Sequence, residues 1–268
     1  MGKINDLKDQ ALATLNGKWG SFVGLTFIFV LLYSTTQMVA QFGTIFSGSR
    51  FTTLAIIFVI LGLVLAILMM PLQYGYYIAH LRASRQDLPA EIGDLFIGYK
   101  RFADVFLTML LQGLIIFGSF IPAVIFMVAT TGTAFMSDHP VFQGLLTFLL
   151  MVPGYILYLA YAMVPFILHD KPELHPVGVL QESFAMMQGH KKELFLLMLS
   201  FLGWALLGLL TFFIGYLWLA PYFQMTEVKF YEQLRAEYES VAEEGGEQPV
   251  VEESAPDTAE PESAEVTE

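Results

Sequence analysis

Five stretches of this chain, residues 19–49, 51–81, 105–137, 139–169 and 194–226, contain no Asp, Glu, Lys or Arg. A helix crosses the hydrocarbon core of a bilayer with about 20 apolar residues, and each stretch exceeds that with a connecting loop included. Lipid offers backbone N–H and C=O groups no partner, so such segments fold as helices. Composition agrees. Of 268 residues 56% are hydrophobic and 14% charged, against about 25% charged in soluble domains, and the mean hydropathy is +0.61. The pattern excludes a water-soluble enzyme and predicts a multi-pass membrane protein.

Four runs each predict one span, at 21–42, 53–79, 105–129 and 143–168. As a single helix, 194–226 would be about 50 Å long, too long for a core of about 30 Å. It is flanked by Lys191-Lys192 on one side and by Lys229 and Arg235 on the other. Basic residues favour the cytoplasmic side, so both ends belong on one side. The run is therefore split near Leu210-Thr211-Phe212 into helices at about 192–209 and 213–235. The expected fold is all-α, six transmembrane helices arranged as three hairpins with short interfacial amphipathic helices. Both termini are then cytoplasmic, and Arg50 alone of the 13 basic residues lies outside. Five spans with the tail outside is the competing arrangement.

The units look repeated. An amphipathic segment with apolar residues at helical spacing and a glycine precedes each odd span. These are Ile4, Leu7, Leu12 and Leu15 with Gly17; Ile92, Leu95, Phe96 and Tyr99 with Gly98; and Val177, Leu180, Phe184 and Met187 with Gly189. Pro89 and Pro176 are expected in first turns. Each even span carries a late proline: Pro71, Pro165 or Pro221. The first apolar run is too long for a signal-peptide core and reads as a span. The organisation is an N-terminal amphipathic interfacial helix (1–17), a six-span membrane domain (18–235) and an acidic, mostly disordered cytoplasmic tail (236–268). That tail holds 12 of the 25 acidic residues and no basic one.

Chemistry is sparse. With no cysteine there is no thiol nucleophile, and no Walker loop, dinucleotide turn, HExxH or GxSxG occurs. The deep parts of the predicted spans hold polar residues such as Gln37, Gln41, Gln73 and Gln112 but no Asp, Glu, Lys or Arg, so ion coupling is not expected. Asp104 and Glu227 are expected at hydrated interfaces. His169, Asp170, Glu173 and His175 form the one cluster of ligand-type groups, read as a solvated loop. No catalytic, cofactor-binding or metal-binding residue is expected, and no cofactor. Lys18-Trp19, Lys100-Arg101 and Lys191-Lys192 put cations and an aromatic at headgroup depth, as candidate contacts to membrane lipids, anionic ones included. The same residues also fix topology, and both readings stand. The acidic tail is a candidate dock for a membrane protein or a basic cytoplasmic partner. No nucleic acid is implied.

Ser200-Phe201-Leu202-Gly203-Trp204, then Leu210-Thr211, Ile214-Gly215, Pro221-Tyr222 and Phe230-Tyr231 resemble the bacterial membrane-protein family catalogued as domain of unknown function 975. Tyr74-Gly75-Tyr76 and Gly17-Lys18-Trp19-Gly20 are similar to its marks as well. Phe213 stands where that family usually has glycine, which predicts a differently packed turn. The resemblance implies a bacterial cytoplasmic (inner) membrane location and supplies no activity. It assigns Ser200, Gly203, Trp204, Gly215, Pro221, Tyr222, Phe230 and Tyr231 to family signature and packing. Two functions remain open: a non-enzymatic scaffold, assembly or envelope-homeostasis factor, and a permease or channel for a neutral or apolar solute. A continuous cavity lined by Gln37, Gln112 and the proline kinks would favour the permease.

Overall fold

The computed structural model describes residues 2–46, 52–130 and 139–245, and every regular element among them is helical. In chain order these are α1 (Gly2–Leu15), α2 (Trp19–Phe46), α3 (Thr52–Gln86), a 3-10 helix (Ile92–Arg101), α4 (Phe102–Thr130), α5 (Pro140–Ala160), α6 (Val164–Asp170), α7 (Pro176–Met186), α8 (Lys191–Ser200), α9 (Leu202–Leu210) and α10 (Tyr216–Gly245). Five helical stretches are long and apolar enough to cross a membrane: Trp19–Ile45, Thr53–Gln86, Ile92–Thr130, Val141–Asp170 and Lys191–Leu210. The polar half of α10 keeps it out of that set. Arg50 and residues 246–268 lie outside the described residues, and α10 carries the chain helically through the first ten residues of the expected tail.

The helix boundaries follow from local chemistry. Pro165 has no N–H to offer the carbonyl of Tyr161, and the chain turns between α5 and α6 there. That carbonyl accepts from Gln112 Nε2 at 3.0 Å and from the Val164 N–H at 3.3 Å, and Ser183 Oγ donates to the neighbouring Ala160 carbonyl at 2.9 Å. Proline is tolerated in apolar helices when neighbours restore the lost bonds in this way. The break expected near 210–212 is present. Thr211 ends α9, and the N–H groups of Phe212 and Phe213 close back on the Leu209 and Gly208 carbonyls, each at 3.1 Å. That is a Schellman turn with phenylalanine in the left-handed position that glycine normally fills.

Two expectations are corrected. The segment at 92–101 is a 3-10 helix, and Pro89 precedes it in irregular chain rather than in a first turn; Pro176 does open α7. Glu227, expected to be hydrated, is instead buried within the protein, at 7% exposure.

The core sits at one end of the bundle. Leu7, Ile78, Leu81, Phe166, Ile167, Leu194, Leu197, Val228 and Tyr231 are buried in one cluster. A second cluster joins Ala11 and Leu15 of α1 to Phe22, Leu72, Ala79, Leu95 and Met225. The apolar face of α1 thus covers protein. By contrast α4, α5 and the early part of α3 expose Ile57, Ile60, Leu63, Leu114, Phe117, Ile125, Leu145 and Phe148, an apolar surface of the kind that contacts a membrane or a partner.

Candidate functional site

Three features of this scaffold carry chemistry. The first is an apolar groove of about 430 Å³ between α1, the start of α2, α9 and α10, lined by Leu12, Trp19, Trp204, Gly208, Trp218 and Tyr222 among others. The chain has three tryptophans, and all three line this groove. A Cβ on Gly208 would come within 3.0 Å of the Tyr216 ring, and one on Gly215 within 3.0 Å of Gly208 Cα. These two glycines therefore let α9 and α10 approach, and the Tyr216 hydroxyl clips them together by donating to the Ala205 carbonyl at 3.0 Å. Gly203 faces open space instead. Trp204 and Trp218 are about half exposed on the outer flank, so the groove opens sideways.

The second feature is a polar hub on Asp170, whose side chain is 5% exposed. Arg85 Nη1 and Nη2 donate to its two oxygens at 2.7 and 2.8 Å. The Tyr231 hydroxyl donates at 2.7 Å and Arg235 Nη1 completes the set. Around it Arg85 also faces Glu232 at 3.5 Å, and Ser84 Oγ donates to Glu232 at 2.8 Å. Arg101 Nη2 donates to the Pro172 carbonyl at 2.8 Å. Lys18 pairs with Asp87, Arg82 with Asp94, and Lys171 with Glu182. At the same end Lys3 pairs with Glu193 at 3.1 Å. Helices α2, α4 and α8 start at this end, and α3, α6 and the polar part of α10 return to it.

The third feature is a cavity of about 230 Å³ among α3, α4, the α5–α6 break and α10, lined by Gln73, Tyr77, Gln112, Tyr158, Pro165 and Glu227 together with methionines. Gln224 Nε2 donates to Glu227 Oε2 at 3.1 Å, and Gln73 Nε2 donates to the Tyr77 hydroxyl at 3.3 Å. Gln37 is exposed on α2 and does not line it.

Most of the cations expected to meet lipid are already engaged. Lys18 and Arg101 have the protein partners above, and Lys191 lies 4.6 Å from the Phe184 ring centre. Lys100 and Lys192 are exposed, and Trp19 lies in the groove. Of the signature residues, Ser200 ends α8 and its carbonyl accepts from Lys8 Nζ at 3.1 Å. That ammonium also sits 4.2 Å from the Phe201 ring centre, and partial burial pushes its pKa below the ordinary lysine value. Pro221, Phe230 and Tyr231 are buried, and Tyr231 stacks on Phe166 with ring centres 5.0 Å apart. Tyr222 packs edge-on against Phe201, at 5.0 Å.

Asp170, Arg85 and Arg235 were not singled out by sequence as a group. One signal was available: Arg85 follows Pro71, and Arg235 follows Pro221, by the same fourteen residues. The first and third units thus send equivalent arginines to one carboxylate. Among the described residues no group of three His, Asp or Glu side chains is arranged to hold a metal ion. The 169–175 segment serves the hub, with His169 Nδ1 lying 3.5 Å from the Tyr74 hydroxyl.

Fold and surfaces together define a protein whose regular elements are all helical among the described residues, with five helices long and apolar enough to cross a membrane and an ionic hub at one end. The chain belongs to the family described as protein of unknown function (DUF975), whose family model matches residues 1–238. No curated protein and no solved structure matches it.

Proposed function

We propose that the protein is a non-enzymatic module of the bacterial cytoplasmic membrane that binds lipid laterally and acts as a scaffold, assembly or envelope-homeostasis factor. The observation that carries this reading is the convergence of all three tryptophans on one side-opening apolar groove. Its volume lies within the range of ligand-binding clefts, about 300–1,000 Å³, and its walls suit an acyl chain. Tryptophan prefers the membrane interface, where its ring is apolar and its N–H wet. The shared basic end supports cytoplasmic termini and an even number of crossings, six if the α9–α10 hairpin reaches the far face. The acidic residues beyond Glu239 would then lie on the cytoplasmic side, where a basic partner could meet them.

Because the groove holds every tryptophan, tryptophan emission excited apart from tyrosine reports on it alone. Delipidated full-length protein titrated with phospholipid brominated along the acyl chain should lose tryptophan emission in a saturable step near stoichiometric lipid. A purely linear loss would sink the lipid-groove reading. The 230 Å³ cavity favours the permease in one respect, since Gln112 and Pro165 line it. Flux of small neutral solutes through proteoliposomes above the protein-free rate would replace the scaffold with that function.

A further inference from the structure

The α9–α10 hairpin is far shorter than the other two when measured from a common origin. Arg85, Asp170 and Arg235 meet and so mark one level. From there α3 runs back 33 residues to Thr52, α6 and α5 run back 30 to Pro140, and α10 runs back only 19 to Tyr216. At the rise of an α-helix those lengths are about 50, 45 and 28 Å.

Helix α1 gives the same result by a different route. Lys3 pairs with Glu193, Lys8 reaches the Ser200 carbonyl, and Leu12 shares the groove with Leu207, so α1 runs alongside α8 and into α9. Its outer face exposes Asn5, Asp6, Asp9 and Gln10. Such a face does not lie in hydrocarbon, and the part of α8 beside it is therefore outside as well. What remains is α9, whose 9 residues span about 13 Å, less than half of a core of about 30 Å.

The tip itself is apolar. Leu210, Phe212, Phe213 and Ile214 are 61–88% exposed, whereas the connections at 47–51 and 131–138 contain Ser, Arg, Thr and Asp. Thr211 turns inward: its hydroxyl donates to the Gly208 carbonyl at 2.8 Å and accepts from the Gly215 N–H at 2.9 Å. With the Schellman bonds, the turn meets its own polar needs, as irregular backbone at membrane depth must. Thr211 and Gly215 also line the groove together with Trp19, the first residue of α2. The tip is therefore near the level at which α2 begins.

We propose that the α9–α10 hairpin is re-entrant. It enters and leaves the cytoplasmic leaflet with its tip, Leu210–Ile214, among the acyl chains, while α2, α3, α4 and α5 make the crossings. Single cysteines in this Cys-free chain test it. His139→Cys should react with an impermeant maleimide added outside intact cells, and Ser240→Cys only in inverted vesicles. Phe212→Cys, at an exposed position that leaves the fold intact, should react from neither side until detergent is added, and a nitroxide there should show oxygen-dominated collisional relaxation. Labelling of Phe212→Cys from outside intact cells would overturn the proposal in favour of six crossings. Labelling from the cytoplasmic side would overturn it in favour of a hairpin lying in water.

A different observation carries a second inference independently. Glu227 makes no ion pair among the described residues, and the nearby Lys229 is turned to Ser84 Oγ at 2.7 Å and to Glu232 at 3.3 Å. One amide N–H of each of Gln73, Gln112 and Gln224 is already engaged as a donor. The cavity wall therefore offers a carboxylate, amide oxygens and the phenols of Tyr77 and Tyr158, but no cation. A buried carboxylate without a counter-charge is costly, and an acceptor-rich wall matches a group that has only hydrogens to donate. Depth fits a headgroup. The first twenty residues of α3 fill about 30 Å, so Gln73 and Tyr77 begin where the hydrocarbon ends.

We infer that this cavity takes a primary ammonium group, as carried by an aminoethyl phospholipid headgroup or a free small amine. Full-length protein in detergent with equal dioleoyl phosphatidylethanolamine and dioleoyl phosphatidylcholine should retain the former with about tenfold preference by native mass spectrometry. Glu227→Gln should abolish the preference, and Tyr158→Phe, at the exposed mouth, should reduce it if Glu227→Gln does not fold. Saturable binding of ethanolamine, lost in the same variants, with no phospholipid preference would assign the site to a soluble amine. Equal retention of both lipids together with no ethanolamine binding, or binding unaffected by the variants, overturns the inference.

Discussion

At Phe212 and Phe213 the backbone sits at φ +51° and +68°, where a Cβ crowds the following carbonyl at about 1–2 kcal/mol per residue. Phe213 keeps only a stacked contact with Tyr216, ring centres 5.8 Å apart. Phe213→Gly should therefore raise stability by about 1 kcal/mol, read as a higher midpoint in thermal unfolding from detergent; an unchanged or lower midpoint would refute the strain. The family resemblance marked Phe213 as a glycine position, and the left-handed turn supplies the reason. Phe212 was not legible, since nothing in its neighbours announces a second left-handed residue. Asp170 makes the opposite point. Asp170→Asn strands two arginines at the hub and should cost about 2–3 kcal/mol, less than the 3–5 of a fully buried pair because the guanidinium groups are a third exposed. Arg85→Lys, which keeps the charge but lacks the planar fork that meets both oxygens, should lose less in the same melt. Sequence reading took Asp170 for a loop residue because its partners lie 85 and 65 positions away.

Helices weld at glycines whose role is contact rather than freedom. A Cβ on Gly75 would lie 2.2 Å from the Leu95 carbonyl oxygen, and one on Gly98 would lie 2.3 Å from that of Pro71. Gly98→Ala should push the 3-10 helix off α3 and lower stability by about 1–3 kcal/mol. Gly118→Ala, in open space within α4, should gain about 1 kcal/mol from helix propensity. Equal effects of the two in a melt would show that the close approach is not structural. At this scale the sequence was informative where chemistry is local: the prolines inside or opening helices, such as Pro71 and Pro176, the 210–212 break and the amphipathic character of α1. It was silent on the 3-10 geometry of 92–101, which depends on α3 lying against it. It was silent too on what the apolar face of α1 covers, since a lipid surface and a protein groove select the same i, i+3, i+4 pattern.

Hydropathy identified a membrane protein because long uncharged runs have few other fates, and charge parity brought both ends of the last run to one side. Neither reports height. A window of twenty residues counts apolar side chains, not the level at which they begin, and that level is fixed by the meeting of Arg85, Asp170 and Arg235 with Lys3 and Glu193 nearby. A short third hairpin has a consequence for the bilayer itself. If re-entrant as proposed, it would widen the protein in one leaflet without a matching cross-section in the other, and the molecule would act as a wedge. A wedge relieves packing stress where its broader leaflet lies on the convex side. The purified chain should therefore partition preferentially into small vesicles over large ones when its basic end faces outward, and lose that preference when the tip is made polar by Phe212→Asn and Phe213→Asn. Equal partitioning by vesicle size would mean that the extra width is taken up by tilt of the crossing helices.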